Sequence, residues 1–588
     1  MVAGEPFDVE VQIVDADDAP VVTGGIAVTI TVDDGEFAGG SDEVIGSTDA
    51  EGIARFELAI ETSGHGRVLT ATSAWSELDE PSVESDSFDV VAADASVDNS
   101  AIYGEDGAVA DGVDEADVSI ELFDRFDNPV VDVVPEFQAT GDGNEYGDCT
   151  STDAGGFASC TMTSTDPGEK ILEITAPVSV IGEPIAFVSP CDPENLPFGG
   201  GDGSASSPWR VCSPSHFDAI GTGNLFVGHH LVLYDDIDMA DVEDFHVIGD
   251  FGDQFVGSFD GAGYTISNLS ITADDDNNVG PFGVIGETGV VEDVVFEAVD
   301  ITGRNNVGGL AGSNHGTIDA VTVAGSVDGS KGVGGLVGIN RNAGTIQSSV
   351  AETSVLGING TVGSFAGTNE GKISDSHAEG HTAMYDGSSL EGAGGFVGVA
   401  SHGSLIERSS AAGMVIGESA QSASGGFVGW TSGDALFAES YTTVDVENLS
   451  GGTVGGFAGH LSGGTLTDCY ATGFVESSVG SGGFVGEAQD GAAISRVYAA
   501  GANYGGPGSG GFAGELASSV EVDEAYWDQE NSFTNGIGTG ATQNDGVTGL
   551  MTDDFSDEEH FDFDFDTIWE IGDAPDGATR PVLQWQSE

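Results

Sequence analysis

Val307-Gly308-Gly309-Leu310-Ala311-Gly312 is a hexad that returns, with small changes, through the second half of the chain. Its relatives begin at Val279 (VGPFGV), Val333 (VGGLVG), Val362 (VGSFAG), Ala393 (AGGFVG), Ser424 (SGGFVG), Val454 (VGGFAG), Ser481 (SGGFVG) and Ser509 (SGGFAG). Successive starts differ by 28, 26, 29, 31, 31, 30, 27 and 28 residues. A fixed period of this length marks an array of stacked units. A second beat follows many hexads, as in GTIDAVTVAGSV (316–327), GTIQSSVAETSV (344–355), GTLTDCYATGFV (464–475) and AAISRVYAAGAN (492–503). Apolar and polar residues alternate there with glycine at the corners, the pattern of short strands. One such unit has no partner for its apolar face, and stacking supplies it by aligning like positions into columns. The array is therefore expected to be a right-handed parallel β-helix with one coil per repeat. The apolar hexad centres Phe282, Leu310, Leu336, Phe365, Phe396, Phe427, Phe457, Phe484 and Phe512 are expected to form one buried ladder.

Working outward, residues 276–525 hold the repeats and 190–275 read as a linker with a cap and first coils. Within the latter, SPSHFDAI suits a short helix, and FVGSFDGAGYTISNLSI suits strands with tight glycine corners. Residues 526–588 read as a closing segment. Residues 1–93 and 94–189 read as two copies of one unit. Val14–Val22 (VDADDAPVV) answers Phe123–Val131 (FDRFDNPVV), and Thr48–Ala54 (TDAEGIA) answers Thr152–Ala158 (TDAGGFA). Their alternating runs, such as FDVEVQIV, suit β-sandwiches. The whole chain is thus expected to be all-β.

The chain has 100 acidic and 12 basic residues and a formal net charge of −88. At molar salt the Debye length falls to roughly 3 Å and self-repulsion is screened, so this composition points to a high-salt habitat. Nucleic-acid binding, which needs clustered cations, is excluded as an expectation. No run of 18 apolar residues is present, so no membrane insertion is expected within this chain. The start, MVAGEPFDVEV, lacks a basic and an apolar leader region. A removed leader or a fragment of a longer protein is the expectation. Of five cysteines, Cys149 with Cys160 and Cys191 with Cys212 are expected to pair across turn-rich sequence, leaving Cys469 free. Local pairs of this kind fit an oxidising, extracellular compartment.

The paired turn and hairpin motifs resemble bacterial Ig-like domains of the invasin/intimin type, although Ala19 stands where that pattern has Asn. This resemblance implies stacked spacers on a cell surface. The hexads resemble the GLUG motif, seen in Gly309-Leu310-Ala311-Gly312 and Gly335-Leu336-Val337-Gly338, with Phe replacing Leu in most copies. That resemblance spans about residues 196–588. It implies an adhesin-like surface protein or an accessory part of a secreted peptidase.

Candidate chemistry is sparse. His377-Ala378-Glu379-Gly380-His381 departs from the helical H-E-x-x-H zinc motif, since its Glu is one place late. On a strand, residues 377, 379 and 381 share one outer face. His229-His230 suits a corner. Asp15, Asp17 and Asp18, Asp274 to Asp276, and Asp562, Asp564 and Asp566 offer oxygen ligands of the kind Ca²⁺ takes, without an EF-hand or nonapeptide pattern. Asn268, Asn359 and Asn448 begin glycosylation sequons. No nucleophile elbow, P-loop or dinucleotide fingerprint stands in a supporting context. The expectation is a non-catalytic, extracellular adhesin-like protein whose Ig-like stalk presents the solenoid to a polysaccharide or a cell-surface protein. The alternatives are a structural cell-envelope component and an accessory region of a large secreted peptidase or polysaccharide-degrading enzyme.

Overall fold

The computed structural model describes residues 1–587 apart from 16, 74, 76–81, 194–196, 386–390, 402, 534 and 541–545. It divides into two units, Met1–Pro190 and Cys191–Glu588. No helix among the described residues is long and apolar enough to cross a membrane.

The first unit holds two β-sandwiches. In the first, Phe7–Gln12 pairs antiparallel with Ile53–Leu58, opposite a sheet built from Glu43–Ser47, Ala27–Val32, Leu69–Ser73 and Ser82–Glu84. Alternation puts Val28, Ile30, Phe56 and Leu58 inside. The second sandwich packs a four-stranded sheet on a three-stranded one around Ile120, Leu122, Leu172 and Ile174. The recurrent T-D-A hairpins have a local cause. Asp49 Oδ1 accepts the backbone N–H groups of Glu51 and Ile53, and Asp153 Oδ1 those of Gly155 and Phe157. Such Asx turns fix the reversal.

The D-x-x-x-N turn does more in the second copy. Buried Asp124 accepts N–H groups from Ala93, Phe126 and Asn128. Asn128 then reaches across to the first sandwich. Its Nδ2 donates to Glu61 O at 2.6 Å, and its Oδ1 accepts Ser63 N–H at 2.7 Å. Asn128 is thus a clamp between the sandwiches, and Ala19 at the equivalent place has no amide to offer.

The second unit is a parallel β-solenoid. Pairing in register begins at Trp209–Val211 and runs coil upon coil to Val547–Leu550. Three columns of strands, such as Thr345–Gln347, Val350–Gly357 and Val362–Gly363 in one coil, are linked into a sheet of 28 described strands, and a further column forms a sheet of ten. Two of the apolar columns in the interior carry its largest side chains. The second beat supplies Phe259, Val291, Ile318, Ile346, Ile373, Ile406, Phe437, Leu466 and Ile494, each paired with the next. The hexads supply the other. Leu310, Leu336, Phe365, Phe396, Phe427, Phe457, Phe484 and Phe512 are fully buried, and the N–H of each of the first seven donates to the carbonyl of the residue after it in this column. The six phenylalanine rings stack with centroids 4.6–5.3 Å apart. Neighbouring hexad glycines are forced by this closeness. A Cβ on Gly425 would collide with the Val428 carbonyl oxygen, and one on Gly426 with the Gly456 carbonyl of the next coil.

Phe282 departs from the expected ladder. It is buried, yet it pairs with Ala311 rather than Leu310, and its ring meets Phe255 and Phe259. Val279 stays paired with Val307, so the first hexad spends one residue fewer before entering the second sheet. Pro281 takes the place before Phe282, and the column proper starts at Leu310.

Candidate binding surface

The outward faces of the coils carry whatever the solenoid can recognise, so each candidate is located by the column it occupies. His377, Glu379 and His381 lie on the strand His377–Met384 and point away from the core, while Ala378 and Thr382 point in. Glu379 stands beside Glu352, and His381 beside Ser354 of the preceding coil, in a shallow exposed groove. His377 is held by Ser410 Oγ at 2.8 Å. Burial pushes its imidazole pKa down, against the pull of Glu379 and Glu352. His229 and His230 diverge: His230 Nδ1 meets Ser258 Oγ at 2.7 Å, while His229 packs beside Phe226.

The aspartate runs are turn residues or exposed surface. Asp15 Oδ1 accepts N–H from Asp17 and Ala19, and Asp564 is engaged by Asp566 N–H and by Thr567. Asp274 to Asp276 are exposed. Among the described residues the one group of three converging ligand atoms is Cys191, Cys212 and His216, and its two sulfurs are joined to each other. Cys149 and Cys160 form the other disulfide.

Cys469 is free and buried. Its place explains it. Ser349, Ser376, Ser409 and Ser440 form a column in which the backbone N–H of each of the first three donates to the hydroxyl of the next at 3.2–3.4 Å. Each hydroxyl also donates to the carbonyl two residues back, and Cys469 Sγ repeats that bond to Thr467 O. Cys469 therefore stands in for a serine. Asn448 is likewise interior, with Nδ2 donating to Ser419 O and to the Ser422 and Ser424 hydroxyls, so its sequon is closed to a glycan.

Sequence reasoning missed the largest outer feature. Tyr441, Tyr470, Tyr498 and Tyr526 occupy one outward column on successive coils, and the first three rings stack at 4.9 and 5.0 Å. After the last coil the C-terminal segment folds back over them. Trp585 Nε1 donates to Glu439 O, Tyr498 OH to Pro581 O, and Trp569 Nε1 to Asp468 Oδ1. Asp468 is itself buried and paired with Arg496. Burial raises the Tyr470 and Tyr498 pKa values well above the ordinary phenol range. Tyrosine at a fixed offset after each second beat was the available signal.

One outer column is acidic over the first coils. Asp260, Glu292 and Asp319 are stacked neighbours. Burial, then Asp260 and Asp319, raise the Glu292 pKa. On the ten-stranded sheet, Trp430 stacks on His460 at 4.2 Å, and His460 meets Glu487 at 3.3 Å and Gln489 at 3.0 Å. Burial lowers the His460 pKa, outweighing Glu487 and Asp490. A histidine whose folded pKa is depressed stabilises the fold above its unfolded pKa of about 6.5, and that contribution is lost as pH falls through the folded value. Acidifying from pH 8 to 5.5 at molar salt should therefore lower the solenoid's Tm more in wild type than in His460→Gln, by about 2–5 °C. Glu292, with its raised pKa, works with the opposite sign in both proteins, so the difference between them is the readout. Equal slopes by differential scanning calorimetry would remove His460 as the cause.

Residues 450–476 match the family model of the GLUG motif. A Gly-rich membrane protein of Evansella cellulosilytica is 36% identical over 134 residues, and halomucin of Haloquadratum walsbyi is 32% identical over 133. Each match covers 21% of this chain but 15% and 2% of those relatives, so the chain spans a small part of their length. Among solved structures, an IgA1 protease is 19% identical with a TM-score of 0.35, over 68% of this chain and 29% of that one. Invasin, a bacterial integrin-binding protein, is 25% identical with a TM-score of 0.18, over 32% of this chain and 36% of that one. The unit Cys191–Glu588 is thus a parallel β-solenoid that carries a GLUG motif at residues 450–476, and the unit Met1–Pro190 is a pair of Ig-like β-sandwiches.

Proposed function

We propose that this chain is a non-catalytic cell-surface protein of a high-salt environment. Its Ig-like pair serves as a spacer and its solenoid presents a repetitive acidic face to a polysaccharide. The observation that carries this reading is the outward columns. Over the coils before Tyr441 one of them runs Asp260, Glu292, Asp319, Gln347, Ser374 and Glu407 at strand spacing, and Glu352 and Glu379 stand side by side in another. A surface periodic at ~4.8 Å suits a ligand that is itself extended and repetitive, because many weak contacts then add. The surface likenesses named above and the acidic composition support the location and the habitat.

The test is retention of the full chain on immobilised neutral polysaccharide in 3 M NaCl. Wild type should be retained and released by soluble polymer, with no shortening of the polymer by size-exclusion chromatography. A double variant, Glu352→Lys with Glu379→Lys, should elute earlier. No retention would favour a purely structural envelope role, and shortened polymer would make the chain an enzyme.

A further inference from the structure

A cleft of about 730 Å³ opens beside the first coils, within the ~300–1,000 Å³ range of small-molecule sites. It lies where the helix Pro214–Gly221 and the turn after it meet the loop 246–251 and the irregular stretch 273–279. Two features build it. Gly249, at φ +75°, turns the loop where a Cβ would stand 2.8 Å from Phe255 N. The pairing register shifts between Ala273 and Asn277, which pushes that stretch outward.

The polar groups are oriented by the protein. His246 Nδ1 is held 3.0 Å from both Asp218 oxygens, which leaves Nε2 as the atom available to a ligand. Asn277 and Asn278 accept from Asn305 and Asn306 through Oδ1, and their NH₂ groups donate to no protein acceptor among the described residues. Asp250 is already satisfied by Gly252 N–H, Asp253 N–H and Asn224 Nδ2, while Asp276 lies exposed on the wall. Phe251 projects at the rim with 69% of its surface exposed.

These properties select a ligand class. No Lys or Arg lines the cleft and two carboxylates do, so an anionic ligand is repelled. Asp250 is spent on the backbone and only Asp276 is uncommitted, so a cation finds no set of converging oxygens. Oriented amide donors, a carboxylate acceptor and an exposed aromatic face instead match a neutral, hydroxyl-rich ring with one apolar face. We propose that this cleft is a binding subsite for a neutral saccharide, stacked on Phe251 and held by Asp276, Asn277, Asn278 and His246. The proposal deepens the polysaccharide reading above and rests on it for biological meaning, but the cleft is tested separately.

The experiment is titration of the full chain, in 2 M NaCl, with neutral gluco-, manno- and galacto-oligosaccharides of one to four residues, and with oligogalacturonate as the anionic control. Calorimetry and saturation-transfer NMR are the readouts. At least one neutral series should bind with a Kd of roughly 0.1–5 mM. Phe251→Ala and Asp276→Ala, both at exposed positions, should each weaken it about tenfold or more with Tm unchanged. Absence of binding by every neutral series, equal binding by both variants, or preference for oligogalacturonate would overturn the proposal. Cleft binding without retention on polymer would leave the cleft standing and remove the extended-face reading. Retention without cleft binding would do the reverse.

Discussion

Phe427→Asp is expected to open the middle of the solenoid while leaving the Ig-like pair folded. Phe427 stacks on Phe396 and Phe457 at 4.8 Å on either side and meets Phe437 edge-on at 6.1 Å. The substitution removes three ring contacts and places a carboxylate where no cation stands among its ring partners. Truncating a buried Phe costs about 3–5 kcal/mol, and an unpaired buried charge adds several more unless it protonates. Because coils contact only their neighbours, the loss should appear first between about residues 393 and 459. Limited proteolysis with mass spectrometry should find new cuts there, and Met1–Pro190 should stay intact. Phe427→Leu should cost about 1 kcal/mol, since Leu310 and Leu336 already fill this column. Wild-type protease resistance in Phe427→Asp would place the row on the surface and the interior elsewhere.

Removal of salt should have an effect of similar size, but a global one. The chain carries a formal charge of −88, and its acids are stacked as well as numerous. Asp260, Glu292 and Asp319 follow one another at strand spacing, where each adjacent pair repels by about 0.9 kcal/mol even in bulk water. The few cations are placed against this. Residues in the left-handed region recur once per coil at Asp375, Arg408, Glu439, Asp468, Arg496 and Glu524. Arg408 is bonded to Asp375, and Arg496 to Asp468. Interleaving of this sort stops where the arginines run out. Raising KCl from 0.1 to 3 M should therefore raise Tm by on the order of 10–20 °C. A flat Tm across that range would show that the acidic columns do not oppose folding.

The fold class was legible because its cause is local and repeated. A Cβ on the first glycine of the hexad would meet the carbonyl oxygen three residues on in eight coils, from Gly308 to Gly510, so eight copies state one constraint. The two Ig-like units were legible for a similar reason, as Asp49 and Asp153 build the same turn from the same letters. What escaped depended on partners distant in sequence. Nothing near Phe282 says that its hexad is one residue short, because the reference is the register of Val279 against Val307. Asn128 reads as a turn residue until Glu61 and Ser63 are placed beside it. Cys469 was legible as an unpaired thiol, but its place in a serine column shows only when the serines of four earlier coils line up with it. The saccharide cleft was invisible because it is assembled from a helix end, a loop and a register shift, none of which has a spacing of its own.

The folding back of the C-terminal segment has a consequence for how such an array can change in copy number. Trp585 reaches Glu439, Trp569 reaches Asp468, and Pro581 meets Tyr498, so this segment measures a fixed number of coils back from the end. Duplicating or deleting a coil between Tyr441 and Tyr526 would shift these partners by a whole rung and strand the tryptophans. The same event between Val307 and Ser401 leaves every one of those distances intact. Unequal recombination is thus tolerated upstream and penalised downstream. Homologous arrays of different length should differ in the number of hexads before the first tyrosine, and keep the tyrosine coils constant.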